Sequence, residues 1–193
     1  MSLDTRYGRV IEPGPGDSRE HLASAGVSLR VMASKWWLLY QIGFEYQLGG
    51  VRPGGFLYEV SFFPAGMGIL LGHHAWVGLV AGVGVGGITE RLPFSIRAPV
   101  ECALELDLHR RVRVAGFARA IWVTNDARAG GSASLSFADE AAFGLSLRWG
   151  KRYRPDRALS GGNGYFLGIL YQEQLESAIV GATFGYSLNG SIF

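Results

Sequence analysis

The chain has 193 residues, enough for one domain, and a formal net charge of only +2. That charge, with no basic block anywhere, excludes the electrostatic footprint of a nucleic-acid-binding protein. Charged residues make up 18% of the chain, below the roughly 25% of ordinary soluble domains, and the 29 glycines follow no three-residue period, which excludes collagen. Eleven Phe, eight Tyr and five Trp are incompatible with a disordered chain.

Lysine occurs only at Lys35 and Lys151, so sixteen of the 18 basic residues are arginine. Soluble surfaces use lysine freely, because it stays hydrated on a flexible stem. The single cysteine, Cys102, excludes an internal disulfide and a multi-cysteine zinc site. No run of 18 uncharged apolar residues is free of glycine or turn breaks, so no transmembrane helix is expected. The opening Met1-Ser2-Leu3-Asp4-Thr5-Arg6 is not a signal peptide, and an exported protein would be present here in mature form.

Residues 1–20 form an N-terminal segment in which Thr5–Ile11 is a candidate extra strand, followed by the loop Glu12-Pro13-Gly14-Pro15-Gly16-Asp17. Residues 21–193 read as one barrel-forming unit with a side-chain period of two. Ala23, Ala25, Val27, Leu29 and Val31 oppose Ser24, Gly26, Ser28 and Arg30. Leu38, Tyr40, Ile42, Phe44, Tyr46 and Leu48 oppose Leu39, Gln41, Gly43, Glu45 and Gln47. Phe56, Tyr58, Val60 and Phe62 oppose Leu57, Glu59 and Ser61. Ala75, Val77, Leu79, Ala81, Val83 and Val85 oppose His74, Trp76, Gly78, Gly82 and Gly84.

Further along, Ile96, Ala98, Val100, Cys102, Leu104, Leu106 and Leu108 oppose Arg97, Glu101, Ala103, Glu105 and Asp107. The next segment is less clean: Val112, Val114, Ala118, Ala120 and Trp122 oppose Arg113 and Arg119, but Phe117, Ile121 and Val123 share the arginine face. Phe143, Leu145, Leu147 and Trp149 oppose Gly144, Ser146 and Arg148. Tyr165, Leu167, Ile169 and Tyr171 oppose Gly168 and Gln172. Ala178, Val180, Ala182, Phe184, Tyr186 and Leu188 oppose Gly181, Thr183, Gly185, Ser187 and Asn189.

These segments exceed the ~5–6 residues of globular strands and fit the ~9–11 needed to cross a bilayer at a steep tilt. Tight turns are expected at Ser34-Lys35, Pro64–Gly68 and His109-Arg110-Arg111. Longer connections are expected at Gly49–Gly55, Gly86–Pro93, Asn125–Ser136 and Lys151–Gly164. Short turns at one end and long loops at the other are the habit of outer-membrane barrels, although Lys151–Gly164 falls at the end expected to be tight.

Alternation alone does not say which face points inward, but the polar face carries the information. It is Gly, Ser and Ala with isolated charges, which suits a crowded lumen. Arg30, Arg97, Arg113, Arg119 and Arg148 are balanced there by Glu45, Glu59, Glu101, Glu105 and Asp107. Planar bidentate pairing with carboxylates in a lumen explains arginine over lysine. Trp36, Trp37, Tyr46, Tyr58, Trp122, Trp149, Tyr165 and Tyr171 lie where interfacial aromatic girdles would form.

In alternation, strand length, turn asymmetry and lumen charge, residues ~20–193 resemble the small outer-membrane β-barrel proteins of Gram-negative bacteria, the class of OmpA-like and OmpX-like barrels. Phe193 looks like the terminal aromatic that this class uses as an assembly signal, with Ser191 and Asn189 departing from the apolar positions before it. The resemblance implies a bacterial outer-membrane location, contact with membrane lipid and lipopolysaccharide, and insertion by the barrel-assembly machinery.

Candidate chemistry is sparse. His73 and His74 are adjacent and face opposite ways on a strand, so they do not chelate together. Asp107 and His109, at i and i+2, share a face, a spacing that could orient an imidazole, but their position just before a tight turn reads as a solvated turn pair. The His-x-Ser-Asn pattern of outer-membrane lipid A deacylases is absent. The glycine run Gly82–Gly87 lacks the helix and Lys-Ser/Thr of a phosphate loop and reads as close packing.

The expectation is therefore an all-β, single closed antiparallel transmembrane β-barrel of 8–10 strands. It would be a non-enzymatic protein with a structural, adhesive or narrow-pore role, a largely plugged lumen, and no metal or cofactor. The alternatives are a soluble lipocalin-like barrel holding an apolar ligand and a lipid-modifying outer-membrane enzyme.

Overall fold

β-branched and aromatic residues at alternate positions favour extended backbone, and long strands are left without an unpaired edge only when the sheet closes on itself. A computed structural model of the chain describes residues 2–12, 21–52, 55–72, 74–89, 92–109, 111–124, 140–150, 164–174 and 177–187. They form ten strands and no helix. The strands are β1 (Ser2–Glu12), β2 (His21–Lys35), β3 (Leu38–Arg52), β4 (Phe56–Leu71), β5 (Ala75–Ile88), β6 (Leu92–His109), β7 (Val112–Thr124), β8 (Glu140–Gly150), β9 (Gly164–Gln174) and β10 (Ser177–Ser187).

Each strand pairs antiparallel with its sequence neighbours, and β1 pairs with both β2 and β10, so the sheet is a closed barrel without a free edge. The even strand number is completed by the N-terminal segment: Ser2 lies opposite Ser187 on one side and Ser28 on the other. One circuit of the register leads from Ala33 through Tyr40, Met67, Leu79, Cys102, Ala118, Phe143, Tyr171, Val180 and Arg9 to His21. The circuit returns to β2 twelve residues from its start. With roughly 3.3 Å per residue and 4.8 Å between strands, that stagger tilts the strands by about 40°.

Two expected turns move. Pairing of β2 with β3 continues to Lys35 opposite Leu38, so the turn is Trp36-Trp37 rather than Ser34-Lys35. Trp36 takes a φ of 59°, and a positive φ at the first of two turn residues matches the twist of the flanking strands. Pro64–Gly68 is not a turn. β4 runs through it and turns only at Gly72, whose φ is 67°. A bulge between Phe62 and Ala65 takes up the proline, which has no N–H to give to the ladder. Pro64 and Ala65 both face outward there, and the inward set switches from Leu57, Glu59, Ser61 and Phe63 to Gly66 and beyond.

The long connections expected at Gly49–Gly55 and Gly86–Pro93 are mostly strand, because β3 extends to Arg52, β5 to Ile88 and β6 back to Leu92. Residues 125–139 and 151–163, and with them the expected loops there, lie outside the described residues, as do 13–20, His73 and the terminal Phe193.

The two faces of the wall differ sharply. Phe44, Leu104 and Leu147 point outward and are 40–45% exposed, whereas Glu101 and Arg97 point inward and are 1% exposed. Among the described residues, thirty large apolar side chains are exposed on the outside. Among the described residues of the strands, the outward-facing arginine is Arg9, close to the end of β1.

Candidate functional site in the barrel lumen

The polar face named from sequence lines the lumen, and its ten charged residues gather into three groups along the strands. In the middle, Arg30 on β2, Glu45 on β3, Glu101 on β6 and Arg119 on β7 close a four-membered ring. Arg30 reaches Glu45 Oε1 and Glu101 Oε1, each at 2.7 Å. Arg119 reaches Glu45 Oε2 at 2.7 Å and Glu101 Oε2 at 2.5 Å, and its Nε donates to Glu101 as well at 3.0 Å. In a ring of ten strands, β3 and β7 stand four places apart, as do β2 and β6, so two sides of the ring cross the lumen.

The Arg119 guanidinium also lies between the Phe63 and Phe117 rings, 5.5 and 5.7 Å from their centroids. Its charge is thus held by carboxylates in its plane and by ring faces beside it. The ring is solvated unevenly: the Glu101 side chain is 1% exposed and that of Arg30 25%.

Toward the end of the barrel where β6 begins, Arg97 pairs with Glu59 at 3.4 Å and with Glu140. Ser61 donates to Glu59, and Gln47 donates to Ser24 at 2.7 Å. Toward the other end, Arg113 holds Asp107 in a two-pronged pair and Glu105 at 2.8 Å. Arg148 joins Glu105 at 2.7 Å, and the Trp76 indole donates to the same carboxylate at 3.2 Å. Between the central ring and this lower group sits an apolar layer of Leu39, Trp76 and Ala103, with Met32, Leu70 and Phe117 packed against it.

The register explains the pairs that alternation had placed on neighbouring strands. Glu101 lies directly opposite Arg119, and Asp107 opposite Arg113, across β6 and β7. It also explains the irregular face of β7, since Ile121 is buried and Phe117 joins the apolar layer: both fill the lumen. Sequence reasoning missed Glu140, which lies at the very start of β8 before the alternating run from Phe143. It also missed the role of Trp76, an inward-facing indole whose N–H needs a buried acceptor. The balanced count of five arginines and five carboxylates gave no sign of Glu140, which makes the carboxylates six; the signal for Trp76 was its place on the polar face among His74, Gly78 and Gly82.

The interfacial aromatics separate into two sets. Trp36, Trp37, Trp149 and Tyr165 lie at the end that holds the β2–β3 turn, with Trp149 opposite Tyr165. Tyr46, Tyr58, Trp122 and Tyr171 lie toward the opposite end, with Tyr46 37% exposed and the other three half-buried. Asp107 and His109 do not share a face as their spacing suggested. A register shift between them turns His109 outward, while Asp107 is held by Arg113. His74 is exposed at a turn, and among the described residues no group of three metal-ligating side chains comes together.

No protein-family model matches the chain, and comparison with curated proteins returns no relative.

Proposed function

We propose that the chain is an integral outer-membrane β-barrel protein with a lumen closed by salt bridges, acting structurally or adhesively through its loops. The observation that carries this reading is the exposed apolar outer face. At roughly half exposure and about 150–200 Å² each, its thirty large side chains present on the order of 2,000–3,000 Å². A soluble monomer leaves patches of only a few hundred Å². At a tilt near 40°, roughly ten residues of strand cross the ~25 Å apolar band of such barrels, and every strand here has at least 11. The two aromatic sets support the same orientation in a bilayer.

The closed lumen is supported by the central ring and the apolar layer beneath it, which stand in series between the Arg97 and Arg113 groups. On that ground a structural role is favoured over conduction. Membrane lipid, lipopolysaccharide and the barrel-assembly machinery are the partners this reading requires.

Heat-modifiable migration tests it. Protein refolded into phosphatidylcholine vesicles should run as a compact band on SDS gels until boiled, and should show no steady conductance in planar bilayers. A chain that stays monodisperse in buffer without detergent, or fails to enter vesicles, overturns the membrane reading. A steady ohmic current overturns the closed lumen.

A further inference from the structure

The outer wall is not uniformly bulky. Around β1 it sinks into a groove of about 620 Å³ whose floor is Ala23, Ala25 and Ala182 and whose banks are Tyr7, Leu48 and Phe184. The register fixes its layout. Tyr7 lies between Ala182 and Ala23, and the next row toward the β1–β2 connection is Arg9 between Val180 and His21. His21 in turn lies opposite Arg52. Arg9 and His21, on adjacent strands, therefore share one row immediately beyond the small-residue floor.

The local chemistry is specific. Arg9 is exposed although it stands on the outward face. Tyr7 stacks on His21, ring centroids 6.0 Å apart, and the Tyr7 hydroxyl lies 3.0 Å from His21 Nδ1. The Tyr7 contact engages Nδ1 and leaves Nε2 as the other ring nitrogen of His21, in the same row as the Arg9 guanidinium. A guanidinium beside a polar ring at one end of an apolar trench matches a molecule with an anionic oxygen-rich head and a hydrocarbon tail.

Resting on the membrane-barrel reading, we propose that this groove binds a phosphate-bearing membrane lipid, with its phosphate at Arg9 and His21 and one acyl chain along Ala23, Ala25 and Ala182. The row's basic charge selects the headgroup, and the missing side-chain volume on the floor seats the chain.

Native mass spectrometry of the refolded barrel released from micelles containing equal phosphatidylglycerol and phosphatidylcholine tests this. One phosphatidylglycerol should be retained in preference to phosphatidylcholine. Arg9→Gln should weaken that retention by about tenfold, the scale of one charge-assisted contact. Ala23→Leu should abolish it by filling the floor, while Val83→Leu, outward on β5, should leave it intact. Equal retention of both lipids, or wild-type retention in Arg9→Gln or Ala23→Leu, overturns the site. A detergent-stable dimer that Ala23→Leu dissociates also overturns it, since a second copy then occupies the groove. Failure to enter vesicles at all sinks the membrane reading instead, so the two failures are distinguishable.

Discussion

Replacing Arg119 with methionine keeps an unbranched side chain between Phe63 and Phe117 but deletes the charge that links both carboxylates of the central ring. Glu101 loses two of its donors, and Arg30 is left bridging Glu45 and Glu101 without its counterpart. Because the Glu101 side chain is 1% exposed, water does not replace what is lost. Removing one partner of a buried pair costs about 3–5 kcal/mol, and that is the expected loss for Arg119→Met. Arg30→Met should cost less, about 1–2 kcal/mol. Arg30 is a quarter exposed, and both carboxylates keep Arg119. Adding Glu101→Gln to Arg119→Met should recover part of the loss by removing the stranded charge. The assay is urea unfolding of the vesicle-refolded barrel, followed by tryptophan fluorescence and by the compact band on SDS gels. A loss below about 1 kcal/mol for Arg119→Met, the scale of a surface pair, would refute the argument. So would equal losses for the two arginines. Either result would mean that the ring stands in water and the lumen is open.

Other positions test the rest of the wall. A methyl on Gly84 would sit 2.5 Å from the Val60 carbonyl oxygen, so Gly84→Ala should destabilise by roughly 1–3 kcal/mol in the same unfolding assay. Gly50→Ala, with open space at that position, should be neutral or slightly stabilising. Leu104→Arg places a charge on the outward face at mid-strand and should cost ~2–4 kcal/mol in vesicles, against ~0–1 for Leu108→Arg near the strand end. Equal costs at the two sites would argue against a hydrocarbon surround. Trp76→Phe removes a donor to the Glu105 carboxylate and should cost about 1.5–3 kcal/mol in urea unfolding, with Trp149 and Trp122 still reporting.

Much of this architecture was legible because a strand's period of two leaves no room for ambiguity once a face is assigned. The series from Leu38 to Leu48 and from Ile96 to Leu108 fixed both the strands and the side each residue takes. The errors came where local chemistry suggested a stop that pairing overrode. Pro64 reads as a turn, yet a bulge lets β4 run on, because hydrogen bonds to β3 and β5 on both flanks outweigh one missing N–H. Gly49–Gly55 reads as loop, yet closure of the sheet gives those backbones partners up to Arg52. Pairing between neighbours, such as Glu101 with Arg119, follows from strand order. The contacts across the lumen, Arg30 to Glu101 and Arg119 to Glu45, depend on how ten staggered strands curve, which no linear pattern encodes.

The meeting of β1 with β10 has a consequence for how the molecule is made. Of the ten strands described, β1 is made well before β10, so its second row of backbone groups waits for a partner more than 160 residues further on (Ser2 to Ser187, Val10 to Ile179). Closure is therefore the slowest contact to form by chance, and every shorter product exposes two raw sheet margins that invite association with other chains. A chaperone that shields those margins, or a template strand that occupies one until the seam is ready, would shorten that wait.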